Sequence, residues 1–371
     1  MPGAVIDALR AFVPRFLEGN PPLCEAQARA LWAITHCRTP AMGGHLYACG
    51  ACGRHVFAYH SCNHRACPQC GRAATAKWVE RELGKRVDVP YFMVTFTLPA
   101  ELRELFFGPA AKAAYDLFFR AASGTLAEKL AAPKWLGAQV SGFSAILHTW
   151  NQRLHFHPHI HIIVPGAGID RQGRIVRVKN ANFLLPVPVL RKAFRWHFRQ
   201  GLDILGRQID PSVWTKDWGV HIQPVGNGAA ALKYLGAYVC RTAIADSRIL
   251  RIDDCGVTFR WKDRANGGVQ RTERLCGIEF VRRYLRHVLP RGLRSIRYYG
   301  FCHPAAKKNR TRIAFHTGRA LLIGALEDAP LPASAPLGVP TCPCCHKPMQ
   351  AVASFAGTAA RAPPTMNATS P

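Results

Sequence analysis

The spacing of apolar positions changes several times along the chain, and each change marks an element. Val5, Leu9, Phe12 and Phe16 recur at helical spacing, and residues 26–34 resume that spacing after the Asn20-Pro21-Pro22 break. Residues 37–70 lose any sustained period and become rich in Cys, His and Gly, as expected where a metal replaces an apolar core. A charged helix is expected over 73–86. Residues 89–99 read as a strand ended by proline, and the Ala/Phe/Leu-rich stretch 110–131 reads as a helix. Residues 142–150 and 157–164 form an expected antiparallel hairpin around Asn151-Gln152-Arg153. Helices are expected at 188–205, 229–241 and 278–288, and a short strand at 220–225. A second hairpin pairs 257–262 with 269–274 across Asn266-Gly267-Gly268. Beyond about residue 320 the chain turns Pro/Ala-rich and is expected to be a loose tail apart from a small Cys cluster. Strands and helices alternate irregularly, with hairpins. That order favours an α+β fold with an antiparallel sheet over a doubly wound parallel one.

Composition narrows the partners. Hydrophobic residues make up 49% of the 371, enough to bury a sizeable core. Lys and Arg outnumber Asp and Glu 49 to 22, a net charge of +27 that points to a polyanion, because neutralised phosphates release counterions. A membrane partner is not expected, since no 18-residue apolar run or secretory leader is evident. The 14 cysteines fall mostly at close spacing in what is expected to be a reducing compartment, which favours metal over disulfides. The isolated Cys24, Cys240, Cys255, Cys276 and Cys302 are read as buried small apolar groups.

Two stretches carry candidate chemistry. In His157-Pro158-His159-Ile160-His161, strand alternation puts the three histidines on one face and Ile160, Ile162 and Val164 on the other. Imidazoles two residues apart stand near enough to share a cation. His159 and His161 are the firmer ligands and His157 is counted with them, since Pro158 suggests that the strand begins or is edged there. In the expected helix 229–241, Tyr234 and Tyr238 lie four apart on one face, flanked by Lys233 and Arg241 as candidate DNA contacts. A phenol, with a pKa of about 10, is a poor nucleophile near neutrality unless a cation neutralises the phosphate it attacks.

Cys49-x-x-Cys52 and Cys67-x-x-Cys70 are two knuckles 14 residues apart, a tetrahedral zinc signal. Cys62 is counted among the zinc ligands. With Cys37, His45, His60 and His64 also close by, a second zinc is conceivable. Four thiolates close the coordination sphere, so the role is structural: shaping a DNA-binding surface with neighbours such as Arg54, Arg65 and Arg72. Cys342, Cys345 and His346 offer too few ligands to define a site of their own.

Taken in order, Gly43-Gly44-His45, Cys49-x-x-Cys52-Gly53, Ser61-Cys62, Cys67-Pro68-x-Cys70, Phe96-Thr97-Leu98-Pro99 and the histidine strand through Val164-Pro165-Gly166 resemble a known family. So do Tyr234-Leu235-Gly236-Ala237-Tyr238-Val239, Phe259-Arg260-Trp261-Lys262-Asp263 and the stretch from His287-Val288-Leu289-Pro290 to Tyr299-Gly300. Over residues 35–305 the chain resembles the HUH superfamily, and within it the two-tyrosine transposases of the insertion-sequence 91 family. The resemblance implies an HUH-type central antiparallel sheet flanked by helices, preceded by a small helical and zinc-binding domain. It implies segments 1–86 (helical and zinc-binding), 87–305 (nuclease) and 306–371 (a basic, then Pro/Ala-rich tail). It implies His159 and His161 as ligands of Mg²⁺ or Mn²⁺, with a third ligand open between His157, Gln152 and His148. Tyr234 and Tyr238 are implied as nucleophiles in rolling-circle transposition, cleaving and rejoining single-stranded element ends through 5′-phosphotyrosines. The family carries His before the Cys-Pro pair where this chain has Ala66, which leaves open whether His64 substitutes. A bacterial cytoplasmic location, with nucleoid association when DNA is bound, is expected, and oligomer formation is left open. The competing expectations are a non-catalytic zinc-dependent DNA-binding regulator, and a replication initiator or relaxase with the same core.

Overall fold

A computed structural model describes residues 3–239, 243–263, 266–318 and 340–358. In chain order its elements are α1 (Ala4–Glu18), α2 (Glu25–His36), β1 (Gly44–Ala48), β2 (His55–Tyr59), α3 (Gly71–Gly84), β3 (Tyr91–Thr97) and α4 (Ala111–Ala131). There follow β4 (Val140–Trp150), β5 (Phe156–Pro165), β6 (Ala167–Ile169), β7 (Ile175–Arg177), α5 (Val187–Gln200), β8 (Gly219–Pro224) and α6 (Ala229–Val239). The last are β9 (Ile249–Asp253), β10 (Gly256–Asp263), β11 (Val269–Cys276), α7 (Gly277–Leu285), β12 (Ile296–Gly300), α8 (Lys307–His316) and β13 (Gln350–Phe355). The chain divides into two compact units, each discontinuous. One takes the described residues of 1–74, 240–288 and 327–371, the other those of 75–239 and 289–326. This partition differs from three consecutive segments, because strand pairing and cysteine clustering draw distant stretches together.

The second unit is built on an antiparallel sheet ordered β7-β6-β4-β5-β3-β8, with β12 also paired to β4. Its central strands bury one apolar face entirely. Phe92, Val94 and Phe96 of β3, Phe143, Ala145 and Leu147 of β4, and Ile160, Ile162 and Val164 of β5 belong to one core with Phe118 of α4 and Leu190, Phe194 and Phe198 of α5. Leu190, Phe194 and Phe198 are fully buried at helical spacing, each worth about 1.5–3 kcal/mol of burial. The other face is covered differently. Tyr91, Ile146 and Ile163 join Trp78 of α3, Ala231, Leu232 and Leu235 of α6, and Ile313 of α8 in a second core. The mixed α+β class read from the sequence is the observed one.

Pro158 lies within β5 rather than at its start. It escapes the ladder on both sides: β3 pairs only from His159 onward, and the β4 register shifts between His148 and Trp150. A proline without an N–H to donate is tolerated at such an irregularity.

In the first unit, α1 buries Val5, Leu9, Phe12 and Phe16, the stripe read from the sequence. The buried Asp246 carboxylate accepts from the N–H groups of Gly3 (3.2 Å) and Val5 (3.0 Å), satisfying donors at the α1 start. Strands β11-β10-β9 form one sheet and β13-β1-β2 another. Residues 340–358 are therefore not a loose tail, since β13 pairs with β1 from Gly44↔Phe355 to Ala48↔Gln350. The isolated cysteines also depart from expectation. Cys24, Cys255 and Cys276 are exposed and Cys302 is half-buried; Cys240 lies outside the described residues.

Candidate metal centres and tyrosine helix

Register builds the imidazole cluster. On β5, His159 stands opposite His148 of β4, and His161 stands opposite Ile146. Antiparallel partners share a face, so His148, His159 and His161 converge, and their ring nitrogens lie within 4.8 Å of one another. The ring centroids are 4.8–5.1 Å apart, with planes nearly perpendicular. Outer contacts hold two of the rings. His159 Nδ1 donates to the His157 carbonyl (2.8 Å), because a carbonyl can only accept, which leaves Nε2 with its lone pair. His161 Nδ1 is hydrogen-bonded to the Thr95 hydroxyl of β3 (2.8 Å). This is the usual way in which a ligand imidazole is oriented. His148 is buried under Trp150, whose ring stacks on it at 5.3 Å. Burial, with His159 and His161 beside it, drives its pKa well below 6.5, so it stays in the neutral form that a cation needs.

His157 is not brought into this cluster. Its Nδ1 accepts from Arg103 Nη2 (3.1 Å), and burial together with that guanidinium lowers its pKa. A lone pair held by a permanent cation is poorly placed to bind a second one. The geometry thus groups His148, not His157, with His159 and His161. Gln152 lies in the turn between β4 and β5.

The tyrosine helix α6 packs on the same face of the sheet as these imidazoles. Leu232 and Leu235 share a core with Ile163 and Ile146, which stand two residues from His161 on β5 and from His148 on β4 and so lie on the histidines' face. Tyr234 and Lys233 are exposed on α6. Tyr238 also belongs to α6, but its side chain lies outside the described residues, as does Arg241. Gly236 is where the helix meets α3. A Cβ there would fall 2.0 Å from Val79 Cγ2 and 3.6 Å from the Trp78 ring. Gly236→Ala is expected to lower stability by about 1–3 kcal/mol through overpacking, read as a lower denaturant midpoint at unchanged slope. A variant as stable as the parent would refute the close approach.

The cysteines regroup. The sulfurs of Cys37, Cys62, Cys67 and Cys70 form one cluster, and those of Cys49, Cys52, Cys342 and Cys345 another. The two sequence knuckles therefore serve separate clusters, a correction to the single Cys49-Cys52-Cys67-Cys70 site. Cys37, read as a neighbour that a second zinc could use, is a member of the first, and Cys342 and Cys345, read as too few ligands to define a site, are members of the second. In the first cluster, sulfurs stand 3.6 Å (Cys37–Cys70) and 3.7 Å (Cys62–Cys70) apart. Thiolates about 2.3 Å from one tetrahedral zinc would be about 3.8 Å apart, so this donor set fits zinc. The Cys62 and Cys67 thiols, donating to Cys37, hold its pKa far below the usual thiol range. His64 is not part of the cluster. Its Nδ1 accepts from the Ala66 N–H (3.2 Å), so it does not stand in for the missing histidine. Arg65 is exposed in the same loop, and the side chain of Arg72 lies outside the described residues. A cleft of about 1210 Å³ opens beside this loop, lined by Arg29, Trp32, Arg38, Tyr47, His60 and Phe355 among others, and by no carboxylate.

The described residues thus comprise a sheet unit with a histidine cluster on one face and a cysteine-rich unit with two four-sulfur clusters, a two-part protein with candidate metal centres. Comparison with known proteins makes the class specific. A family model described as "Putative transposase" matches residues 142–310, and one described as "Transposase zinc-binding domain" matches residues 8–98. "Putative transposase y4qJ" of Sinorhizobium fredii is 37% identical over 80% of this chain and 79% of its own length. "Transposase for insertion sequence element IS801" of Pseudomonas savastanoi pv. phaseolicola is 31% identical over 75% of this chain and 71% of its own. The chain belongs to the insertion-sequence 91 family of transposases, DNA-processing proteins with a zinc-binding domain. No solved structure matches it. Among the described residues no helix is long and apolar enough to cross a membrane.

Proposed function

We propose that this transposase cuts and rejoins one DNA strand at the ends of its element, with Tyr234 or Tyr238 as nucleophile and a divalent cation held by His148, His159 and His161. The observation that carries the reading is that α6 and the three imidazoles occupy one face of one sheet. The phenol oxygen attacks the phosphorus, the bond from phosphorus to the 3′ oxygen breaks, and a 5′-phosphotyrosine remains. The phenol proton passes to solvent, and the leaving 3′ oxygen takes one up. The ester bond energy is conserved, so a 3′ hydroxyl can later reverse the step without a nucleotide cofactor. The cation, when bound, supplies charge neutralisation at the phosphate. His159 and His161, fixed by the His157 carbonyl and by Thr95, keep their ligand edges aimed at that position. Three neutral imidazoles favour Mn²⁺ over Mg²⁺ among the physiological candidates. Single-stranded DNA fits because a tyrosine on an exposed helix face needs an accessible phosphate, and Lys233 beside it on α6 adds positive charge; Arg65, exposed in the first unit, is a candidate DNA contact there.

The test is a labelled single strand carrying the element's end, incubated with protein and Mn²⁺ and resolved under denaturing conditions. A covalent protein–DNA adduct is expected from the parent chain, and none from the Tyr234→Phe, Tyr238→Phe double variant. No adduct from the parent would sink the enzymatic reading and leave a DNA-binding regulator. An adduct surviving in the double variant would sink the nucleophile assignment alone.

A further inference from the structure

We propose that the chain carries a second, separate zinc centre formed by Cys49 and Cys52 together with Cys342 and Cys345, so that its C-terminal knuckle closes a zinc ribbon begun near its N-terminus. The sulfur spacing fits one ion: Cys49–Cys345 is 3.4 Å, Cys52–Cys342 3.5 Å and Cys52–Cys345 3.7 Å. The stronger argument is that the two halves are the same local structure built twice. In the first, Cys49 N–H donates to Arg54 O (2.9 Å) and Gly53 N–H donates to Cys49 O (2.9 Å). In the second, Cys342 N–H donates to Lys347 O (2.8 Å) and His346 N–H donates to Cys342 O (2.9 Å).

The sulfurs are addressed in the same way. Cys49 Sγ accepts from the N–H groups of Ala51 and Cys52, and Cys342 Sγ from those of Cys345 and Cys344. Cys52 Sγ accepts from Arg54 N–H, and Cys345 Sγ from Lys347 N–H. The residue after each second cysteine turns left-handed: Gly53 at φ 69° and His346 at φ 57°. A non-glycine residue costs about 1 kcal/mol or more there, so His346 must be over-determined by what surrounds it. Backbone N–H groups aimed at sulfur at four positions, with a cation-bearing residue following each knuckle, are what a dianionic tetrathiolate site needs.

The strands complete the ribbon. β1 and β2 flank the first knuckle, β13 follows the second, and β13 pairs with β1. The apolar support is slight: Met349 is the one buried side chain grouped with Cys49 and Cys342 among the described residues. The metal therefore takes the place of a core, and it holds Phe355 of β13 at the wall of the cleft beside Tyr59.

The experiment counts zinc on the full chain in a His159→Ala, His161→Ala background, so that the imidazole cluster takes none. Two zinc ions per chain are expected, and one after Cys342→Ser with Cys345→Ser. Cys344→Ser, at an exposed position outside the cluster, is expected to keep both. X-ray absorption on the unmutated-cysteine protein supplies a reading that needs no cysteine variant to fold. Every zinc is expected to have four sulfurs at about 2.3 Å and no nitrogen. One zinc per chain, two zinc ions kept by the Cys342→Ser, Cys345→Ser variant, or a shell containing nitrogen would each overturn the proposal.

Discussion

Replacing His159 and His161 together by alanine is expected to reduce covalent adduct formation about 10³-fold or more while leaving the fold and the cysteine-bound zinc unchanged. The size follows from what is removed. A cation neutralising a phosphate under attack contributes several kcal/mol of transition-state stabilisation, and each 1.36 kcal/mol is tenfold in rate. Two of three nitrogen donors cannot be lost without losing the ion. The fold should tolerate the change, because both rings are only half-buried and project from the strand face opposite the Ile160–Ile162–Val164 core. The check pairs adduct yield with manganese binding measured by calorimetry. His157→Ala is the internal control. If His157 serves Arg103 rather than the cation, its removal should leave manganese affinity nearly unchanged. A loss as large as for His159→Ala would return His157 to the ligand set.

That control separates what could be read from the sequence from what could not. The face carrying His159 and His161 was legible, because β5 alternates cleanly between imidazole and aliphatic residues and period two admits one reading. His148 was not. Its strand is buried without interruption from Ser141 to Thr149, so β4 has no polar face to distinguish, and only the register against β5 sets His148 opposite His159. The tyrosine helix could be recognised by spacing, but the face of the sheet on which it lies is a tertiary fact, carried by Leu232 and Leu235. The cysteines misled through proximity. Cys52 and Cys67 are near neighbours in the chain, yet Cys52 keeps company with Cys342, 290 residues away. A signal existed: Cys342-Pro343-Cys344-Cys345-His346-Lys347 repeats the spacing of Cys49-Gly50-Ala51-Cys52-Gly53-Arg54, two cysteines three apart and then a basic residue. β1, β2 and β13 gave little pattern to read, since they are short and largely exposed or half-buried, and their order comes from pairing rather than from an apolar face.

Cys37→Ser with Cys67→Ser is expected to unfold the first unit's zinc region outright, a larger loss of stability than any single core substitution in the second unit. Those two sulfurs, with Cys62 and Cys70, tie together three stretches that little else binds. Cys37 sits at the end of α2, Cys62 lies in the loop after β2, and Cys67 and Cys70 lead directly into α3. Between 37 and 70 the described residues are mostly exposed or half-buried, with Cys37, Cys49 and Cys67 themselves among the few buried side chains. Such a segment cannot offset its own ordering entropy by apolar burial, which costs about 1–2 kcal/mol per residue of backbone. A structural zinc site contributes about 10–16 kcal/mol on binding, comparable to or above the whole stability of an ordinary domain. A buried Leu→Ala change, by contrast, costs about 2–5 kcal/mol. Hydrogen exchange resolves the two. Amides of 37–70 should lose protection by several orders of magnitude in the double serine variant, while those of β3, β4 and β5 keep theirs. Protection retained in 37–70 would mean that packing, not metal, holds the region, and the zinc assignment of Cys37 and Cys67 would fail with it.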